Sequence, residues 1–107
     1  MIEIPNQQEI INFYGPKMQC IIAMEECAEL IQAISKLQRF IVKRGSKKWD
    51  NIVEEIADVL ICIEQLKLMY CITDKDIQGF IDFKVERQVK RMDLFEGVMN
   101  NTDTYIG

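Results

Sequence analysis

Four acidic residues at two matching spacings are the part of this sequence that could do chemistry. Glu26 and Glu29 stand three residues apart, and so do Glu55 and Asp58, in the patterns E-x-x-E and E-x-x-D. Residues three apart lie on one face of an α-helix, one turn from each other. Both pairs interrupt helical faces rich in Ile, Leu and Cys, and we expect the pairs to face each other across a helical hairpin.

Carboxylates on apolar faces need partners, because an unpaired buried charge costs several kcal/mol or stays protonated. Either basic residues or bound cations would compensate the charge. Oxygen ligands without Cys or His favour Mg²⁺, Mn²⁺ or Ca²⁺ over zinc or copper. The alternative is that the acids are surface residues in ion pairs with Lys36, Lys47 or Arg87. The occurrence of two such pairs, both on apolar faces, favours the metal site.

Composition excludes several other chemistries. The 107 residues contain no histidine, which removes imidazole catalysis, histidine-ligated zinc and di-iron sites built on Glu-x-x-His. The five glycines do not form a nucleotide-binding glycine loop. Thirteen basic residues against 17 acidic ones give a net charge of −4, which argues against a nucleic-acid polymer as partner.

Hydrophobic periodicity predicts three long helices joined by short loops, and therefore an all-α fold. The predicted ranges are 16 to 43 or 44, about 49 to 71, and 73 or 74 to about 96, with a possible short leading helix at 6–13. The start signals are Pro16, Ser46 or Asp50, and Thr73 (with Asp76 three residues on) or Asp74, and the stop signals are Gly45 and Gly97.

The length predicts a single domain over residues 1–107, arranged as an antiparallel bundle around a long helical hairpin. Within it, residues 1–15 form an N-terminal segment, 16–96 the helical core and 97–107 a flexible tail. The helices are apolar on nearly every side, more than a three-helix monomer can cover. We therefore expect a homodimer or homotetramer with the site at or near a subunit boundary.

The four cysteines, Cys20, Cys27, Cys62 and Cys71, form no C-x-x-C pair and lie in apolar runs. They are interpreted as reduced core residues of a cytoplasmic protein. The N-terminus carries no signal-peptide pattern, and no apolar stretch is long enough to span a membrane. The sequence thus predicts no membrane partner.

A cationic stripe and one aromatic residue are candidates for substrate contacts. Lys84, Arg87 and Arg91 fall within about 60° of one another on the third helix, which suits either a phosphate clamp or a solvated face. Trp49, the only tryptophan, could stack on a base or anchor the core.

The two acidic motifs, read as EECAEL at 25–30 and EEIADVL at 54–60, resemble the signature of MazG-like nucleotide pyrophosphohydrolases. That family belongs to the all-α NTP pyrophosphatase superfamily. The gap of 25 residues between Glu29 and Glu55 suits a hairpin. The segment KVERQVKR at 84–91 is similar to a basic segment of the family, although Gln88 stands where many relatives have Asn.

The resemblance implies Mg²⁺-dependent hydrolysis of nucleoside triphosphates to monophosphate and pyrophosphate, with Mn²⁺ as a possible substitute and nucleotide-pool sanitation as the role. It makes Glu26, Glu29, Glu55 and Asp58 the metal ligands and catalytic residues, and Lys84 and Arg91, with Arg87, phosphate contacts. The alternatives are a phosphoribosyl-ATP or dUTP/dCTP-type pyrophosphatase, or a non-catalytic helical interaction module.

Overall fold

The computed structural model describes the backbone of residues 1–106 and the side chains of residues 1–99, and this part of the chain is all-α as predicted. The four helices are α1 (Gln7–Tyr14), α2 (Pro16–Leu37), α3 (Lys47–Met69) and α4 (Asp74–Ile106). The chain divides into two compact units, residues 1–72 with α1 to α3, and the chain from residue 73 onward with α4.

A single glycine separates α1 from α2. The Gly15 amide donates to the Ile11 carbonyl at 2.8 Å, which closes the last turn of α1. Its φ of 90° lies in the region that favours glycine, and Pro16 then supplies a preset φ for the first residue of α2. The predicted leading helix is therefore confirmed, shifted by one residue.

Helix α2 ends at Leu37, so the prediction that it reaches Lys43 or Arg44 is wrong. After Leu37 the amides of Gln38 and Arg39 bond three residues back, to Ser35 at 3.3 Å and Lys36 at 3.2 Å, which is a turn. A longer helix would place Lys36, Arg39 and Lys43 one above the other, and like charges at these spacings destabilise a helix.

Helix α3 begins two residues before its predicted start, because Ser46 caps it. The Ser46 Oγ accepts from the Trp49 amide at 3.3 Å. At the other end, Cys71 adopts a left-handed φ of 54°, and the Ile72 amide bonds back to the Lys67 carbonyl at 2.9 Å. This is the Schellman arrangement, in which the left-handed position is usually glycine. It ends α3 at Met69.

Helix α4 begins with the predicted capping interaction. The Thr73 amide donates to Asp76 Oδ2 at 2.9 Å, and the Asp76 amide donates to Thr73 Oγ1 at 3.1 Å. The hydrogen bond from the Thr73 backbone also lowers the pKa of Asp76. The helix continues through Gly97 to Ile106, so the prediction that it ends near Glu96 is wrong. Glycine disfavours a helix interior by only about 1 kcal/mol.

Helices α2 and α3 pack antiparallel along a seam. The loop of residues 38–46 joins the end of α2 to the start of α3, while Cys20 Sγ near the start of α2 lies 3.7 Å from Tyr70 Oη just after α3. The buried side chains of this unit are Ile11, Ala23, Ala33 and Cys62, together with the polar Gln7, Gln19 and Gln65. The seam is therefore built from small and polar residues.

Large apolar side chains lie instead on the surface of the hairpin. Met24 and Ile31 on α2 are both about two-thirds exposed, and Val53, Ile56 and Ile63 on α3 are also exposed. Of the described side chains of α4, only Ile77 is half-buried. No helix in the described part of the chain has the length and apolar character needed to cross a membrane.

Candidate metal centre

The hairpin brings the four predicted acids together, and we refer to Glu26, Glu29, Glu55 and Asp58 as the acidic tetrad. Each motif places its two carboxylates one turn apart on the seam side of its helix. Because α2 and α3 run antiparallel, Glu26 lies nearest to Asp58 and Glu29 nearest to Glu55, as the charges that act most strongly on the Glu26 and Glu55 carboxyls indicate.

One carboxylate oxygen from each tetrad residue lies within 4.8 Å of the other three. Two oxygens on opposite sides of a single Mg²⁺ would be about 4.2 Å apart, and about 4.8 Å apart for Ca²⁺. The tetrad therefore has the dimensions of a divalent-cation site, and a small side-chain rotation closes it onto the smaller ion. Enzyme sites that hold two divalent cations and act on phosphates also bind these cations through carboxylate oxygens.

Two oxygens of the tetrad are buried without any hydrogen-bond partner, Glu26 Oε2 and Glu55 Oε2. An ionised carboxylate can only accept hydrogen bonds, so such an atom needs a donor or a cation. Among the described side chains, neither Lys36 nor Lys47 forms an ion pair with the tetrad. The residues present fit a hard divalent cation, because every donor is oxygen and two of them have no other partner.

The pKa values of Glu26 and Glu55 also show that the negative charge of the tetrad is not compensated by basic partners. Burial raises the pKa of Glu26 from 4.5 to about 7, with further contributions from the charges of Asp58 and Glu29. The pKa of Glu55 is raised by burial and then by the charges of Glu29 and Asp58. Like charges brought together in a partly dry seam favour the protonated forms, and a bound cation would reverse that preference.

All four cysteines are free thiols, and Cys62 lies near the tetrad, one helical turn after Asp58. Its thiol is buried, and burial followed by the charge of Glu26 raises its pKa. The prediction that all four cysteines belong to the core is wrong for Cys27 and Cys71, which are exposed. Cys27 lies within α2, and Cys71 follows the end of α3.

The predicted substrate contacts lie outside the tetrad. Lys84, Arg87 and Arg91 are exposed residues of α4, in the second unit, where the Arg87 guanidinium lies 5.7 Å from the centre of the Phe83 ring. Trp49 is half-buried in the first turn of α3, with the Arg44 guanidinium 5.3 Å from its ring centre. Trp49 precedes Glu55 by about 9 Å along the helix axis.

An apolar cleft of about 500 Å³ lies on the other side of α3, between that helix and the N-terminal segment. Ile4 and Pro5 line it on one side, and Ile56, Leu60 and Ile61 on the other. None of Glu26, Glu29, Glu55 and Asp58 lines it. The cleft is therefore separate from the tetrad.

Sequence reasoning missed three buried glutamines in the same unit, Gln7, Gln19 and Gln65. A signal for two of them was present, because Gln19 precedes Glu26 by seven residues and Gln65 follows Asp58 by seven. Seven residues are nearly two full helical turns, which returns each side chain to the face that carries the acids.

Comparisons of the chain with protein-family models, with curated proteins and with solved structures give no match. The resemblance of the two acidic motifs to MazG-like enzymes therefore stays a prediction from those residues. The geometry of the tetrad is an independent observation, and the functional argument rests on it.

Proposed function

We propose that this protein is a Mg²⁺-dependent nucleoside triphosphate pyrophosphohydrolase, which converts a nucleoside triphosphate and water into the monophosphate and pyrophosphate. One observation carries the proposal. Four carboxylates from two helices converge within 4.8 Å, and two of their buried oxygens have no partner. Arrangements of this kind suit a reaction whose main demand is neutralisation of phosphate charge.

The tetrad would hold Mg²⁺, with Mn²⁺ as a substitute, because both are hard cations that take carboxylate oxygens. When bound, the ion neutralises phosphate charge and polarises the attacking water. The chain's own contribution is to fix the phosphates relative to that water. The water oxygen forms a bond to the α-phosphorus as the bond to the bridging oxygen breaks, and pyrophosphate leaves.

The proton of the water goes to a carboxylate of the chain. The candidates are the members of the tetrad and Glu25, which is exposed beside Glu26 on α2. Lys84, Arg87 and Arg91 are proposed as contacts to the triphosphate, since guanidinium and ammonium groups pair with phosphate oxygens. Trp49 is proposed either as a stacking residue for the base or as an anchor of α3.

A self-associated assembly is part of the proposal. The apolar residues at the surface of α2, α3 and α4 exceed what a chain of this length normally exposes in scattered positions. A second copy would cover them, and a homodimer or homotetramer would place the site near a subunit boundary.

The test is a panel of nucleoside triphosphates assayed for pyrophosphate release with and without Mg²⁺. We expect Mg²⁺-dependent release that Glu55→Gln abolishes. Glu54→Gln is a matched control, because Glu54 is the exposed neighbour of Glu55 on the same helix. The panel includes phosphoribosyl-ATP, dUTP and dCTP, which separates the specialist enzymes from a general one.

The exposed apolar surface also suits a non-catalytic helical interaction module. The absence of hydrolysis of every nucleotide, combined with a melting temperature that Mg²⁺ does not change, would contradict the enzyme and favour that module.

A further inference from the structure

Three glutamines, which we call the glutamine layer, are buried where α1, α2 and α3 meet. The exposed fractions of Gln7, Gln19 and Gln65 are 7%, 4% and 3%. Glutamine is mostly a surface residue, so three enclosed side chains call for a physical reason. Their hydrogen bonds supply one.

The hydrogen bonds fix the orientation of Gln65. The Pro5 carbonyl can only accept, so the nitrogen that reaches it at 2.9 Å is the amide Nε2 of Gln7. The Gln7 Oε1 consequently faces Gln65 and accepts from its Nε2 at 2.8 Å. Gln65 Oε1 is left buried without a partner. Rotating the side-chain amide of Gln65 by half a turn would lose the hydrogen bond to Gln7. The unpaired atom of Gln65 is therefore its oxygen, which can only accept.

A second unpaired acceptor lies on α2, at the position that the antiparallel register matches with Gln65. Gln19 Oε1 is also buried without a partner. The antiparallel register that pairs Glu26 with Asp58 pairs Gln19 with Gln65, each seven residues further from the loop that joins α2 to α3. Seven residues correspond to about 10 Å along the helix axes. The glutamine layer and the tetrad therefore share one seam, two helical turns apart.

Two buried acceptors at matching positions of α2 and α3 suit a ligand that donates two hydrogens. An amino group attached to a base does so, with one hydrogen for each oxygen. An oxo group at the same position is itself an acceptor and would leave both glutamine oxygens unpaired. The separation from the tetrad is comparable to the reach from the α-phosphate of a nucleotide to the far edge of its base.

We propose that the glutamine layer selects the base of the substrate, with Gln65 Oε1 and Gln19 Oε1 accepting the two hydrogens of an exocyclic amino group. The substrates are then cytosine or adenine nucleotides rather than their oxo counterparts. This inference rests on the proposed nucleotide hydrolysis, and it adds the specificity-determining residues.

Helix α1 is the element that admits the base. It covers the layer through Gln7, and only Gln7 and Ile11 of its eight residues are buried. The residue before it, Asn6, makes no side-chain capping hydrogen bond. Because only these two side chains of α1 are buried and the glutamine layer is enclosed, α1 is the element that has to move aside for a base to enter.

The test compares substrates that differ chiefly in the group read by the layer, dCTP with dUTP and dATP with dITP, by pyrophosphate release in Mg²⁺. We expect kcat/KM to favour the amino substrate of each pair by about 10-fold or more. In Gln65→Met the ratio of kcat/KM between the amino and the oxo substrate should fall to near 1, because the acceptor for the amino group is lost. Gln8→Met is the matched control, because Gln8 lies on α1, is exposed and bonds only to Asn12.

Binding to the unaltered protein gives a readout that needs no variant. Addition of dCMP should shift the side-chain amide NMR signals of Gln19 and Gln65, and addition of dUMP should not. Three results would overturn the inference and leave the proposed function standing. They are hydrolysis without a preference for the amino substrate, a preference that Gln65→Met leaves unchanged, and equal NMR shifts from dCMP and dUMP. Failure to hydrolyse any nucleotide would instead remove the proposed function, and this inference with it.

Discussion

Glu26 combines two properties that seldom occur together on a helix: a pKa near 7 and a buried oxygen without a partner. Glu55 shares the buried oxygen and a raised pKa. In both cases burial is the main cause and the neighbouring acids add to it. At the residue scale, the seam therefore favours neutralisation of these carboxylates by protons, and a bound cation would neutralise them in the same way.

The metal-free protein should become less stable as pH rises from about 5 to 8. The pKa of Glu26 is about 7 in the folded chain against 4.5 ordinarily. A raised folded-state pKa gives stability that is complete below 4.5 and is lost as pH passes through 7. Urea unfolding in EDTA at pH 5 and pH 8 measures this. An equal free energy of unfolding at both values, or a higher one at pH 8, would contradict it.

Glu55→Gln should have opposite effects on activity and on stability. Activity should fall by about 100-fold or more because a cation ligand is lost. The melting temperature without metal should rise, because the neutral amide removes repulsion from Glu29 and Asp58. Differential scanning calorimetry with and without Mg²⁺ measures the second effect. Glu9→Gln, at an exposed position of α1, is the control, and a destabilised metal-free Glu55→Gln would contradict the account.

Two non-glycine residues at described helix ends have a left-handed φ, Asn6 before α1 and Cys71 after α3. Cys71 occupies the left-handed position of the Schellman arrangement with φ 54°. Cys71→Gly should raise the free energy of unfolding by about 0.5–1 kcal/mol, because glycine adopts this conformation without steric cost. Gly15→Ala, at φ 90°, should do the reverse although open space surrounds the added methyl group. Chemical denaturation measures both variants. A Cys71→Gly variant less stable than the parent would contradict this reading.

The elements also show how far the sequence could predict the fold. Helix type and order followed from apolar periodicity, and the start of α4 followed from Thr73 and Asp76. The end of α2 did not, because like-charge repulsion among Lys36, Arg39 and Lys43 outweighs a continuing apolar pattern. At Gly97 the error is the opposite one, because the sequence predicted a helix end there and α4 continues. A glycine that keeps a helical φ does not stop a helix.

Candidate site residues divide in the same way. Glu26, Glu29, Glu55 and Asp58 could be found from the sequence because spacing alone places each pair on one face. The glutamine layer could not, because it depends on the register between two helices and on a hydrogen bond from α1. Gln7 contacts Gln65 across 58 residues of chain, and no local pattern predicts that.

At the scale of the whole molecule, the distribution of apolar surface is the main property. The hairpin encloses glutamines and small residues, while Met24 and Ile31 lie outside it, both about two-thirds exposed. Soluble monomers rarely leave large contiguous apolar areas uncovered. The molecule is thus expected to function as an assembly of several copies.

Light scattering after size-exclusion chromatography at micromolar concentration should give the mass of a dimer or tetramer of the 12.5 kDa chain. Ile31→Glu should shift that mass towards the monomer, because a charge at a buried interface is costly. Glu9→Gln, at an exposed position in the first turn of α1, is the control. A compact monomer of the parent chain would contradict the assembly.

The placement of the tetrad on two helices also has a kinetic consequence. The nine residues of the loop between Leu37 and Lys47 keep α2 and α3 close in the unfolded chain, so the hairpin can form early. Folding transition states already bury most of the native surface, and the carboxylates meet as the seam closes. Repulsion among them then slows the closing step itself. Without metal, refolding should be faster at pH 5 than at pH 8, so the four acids would also set how quickly the chain can form its hairpin.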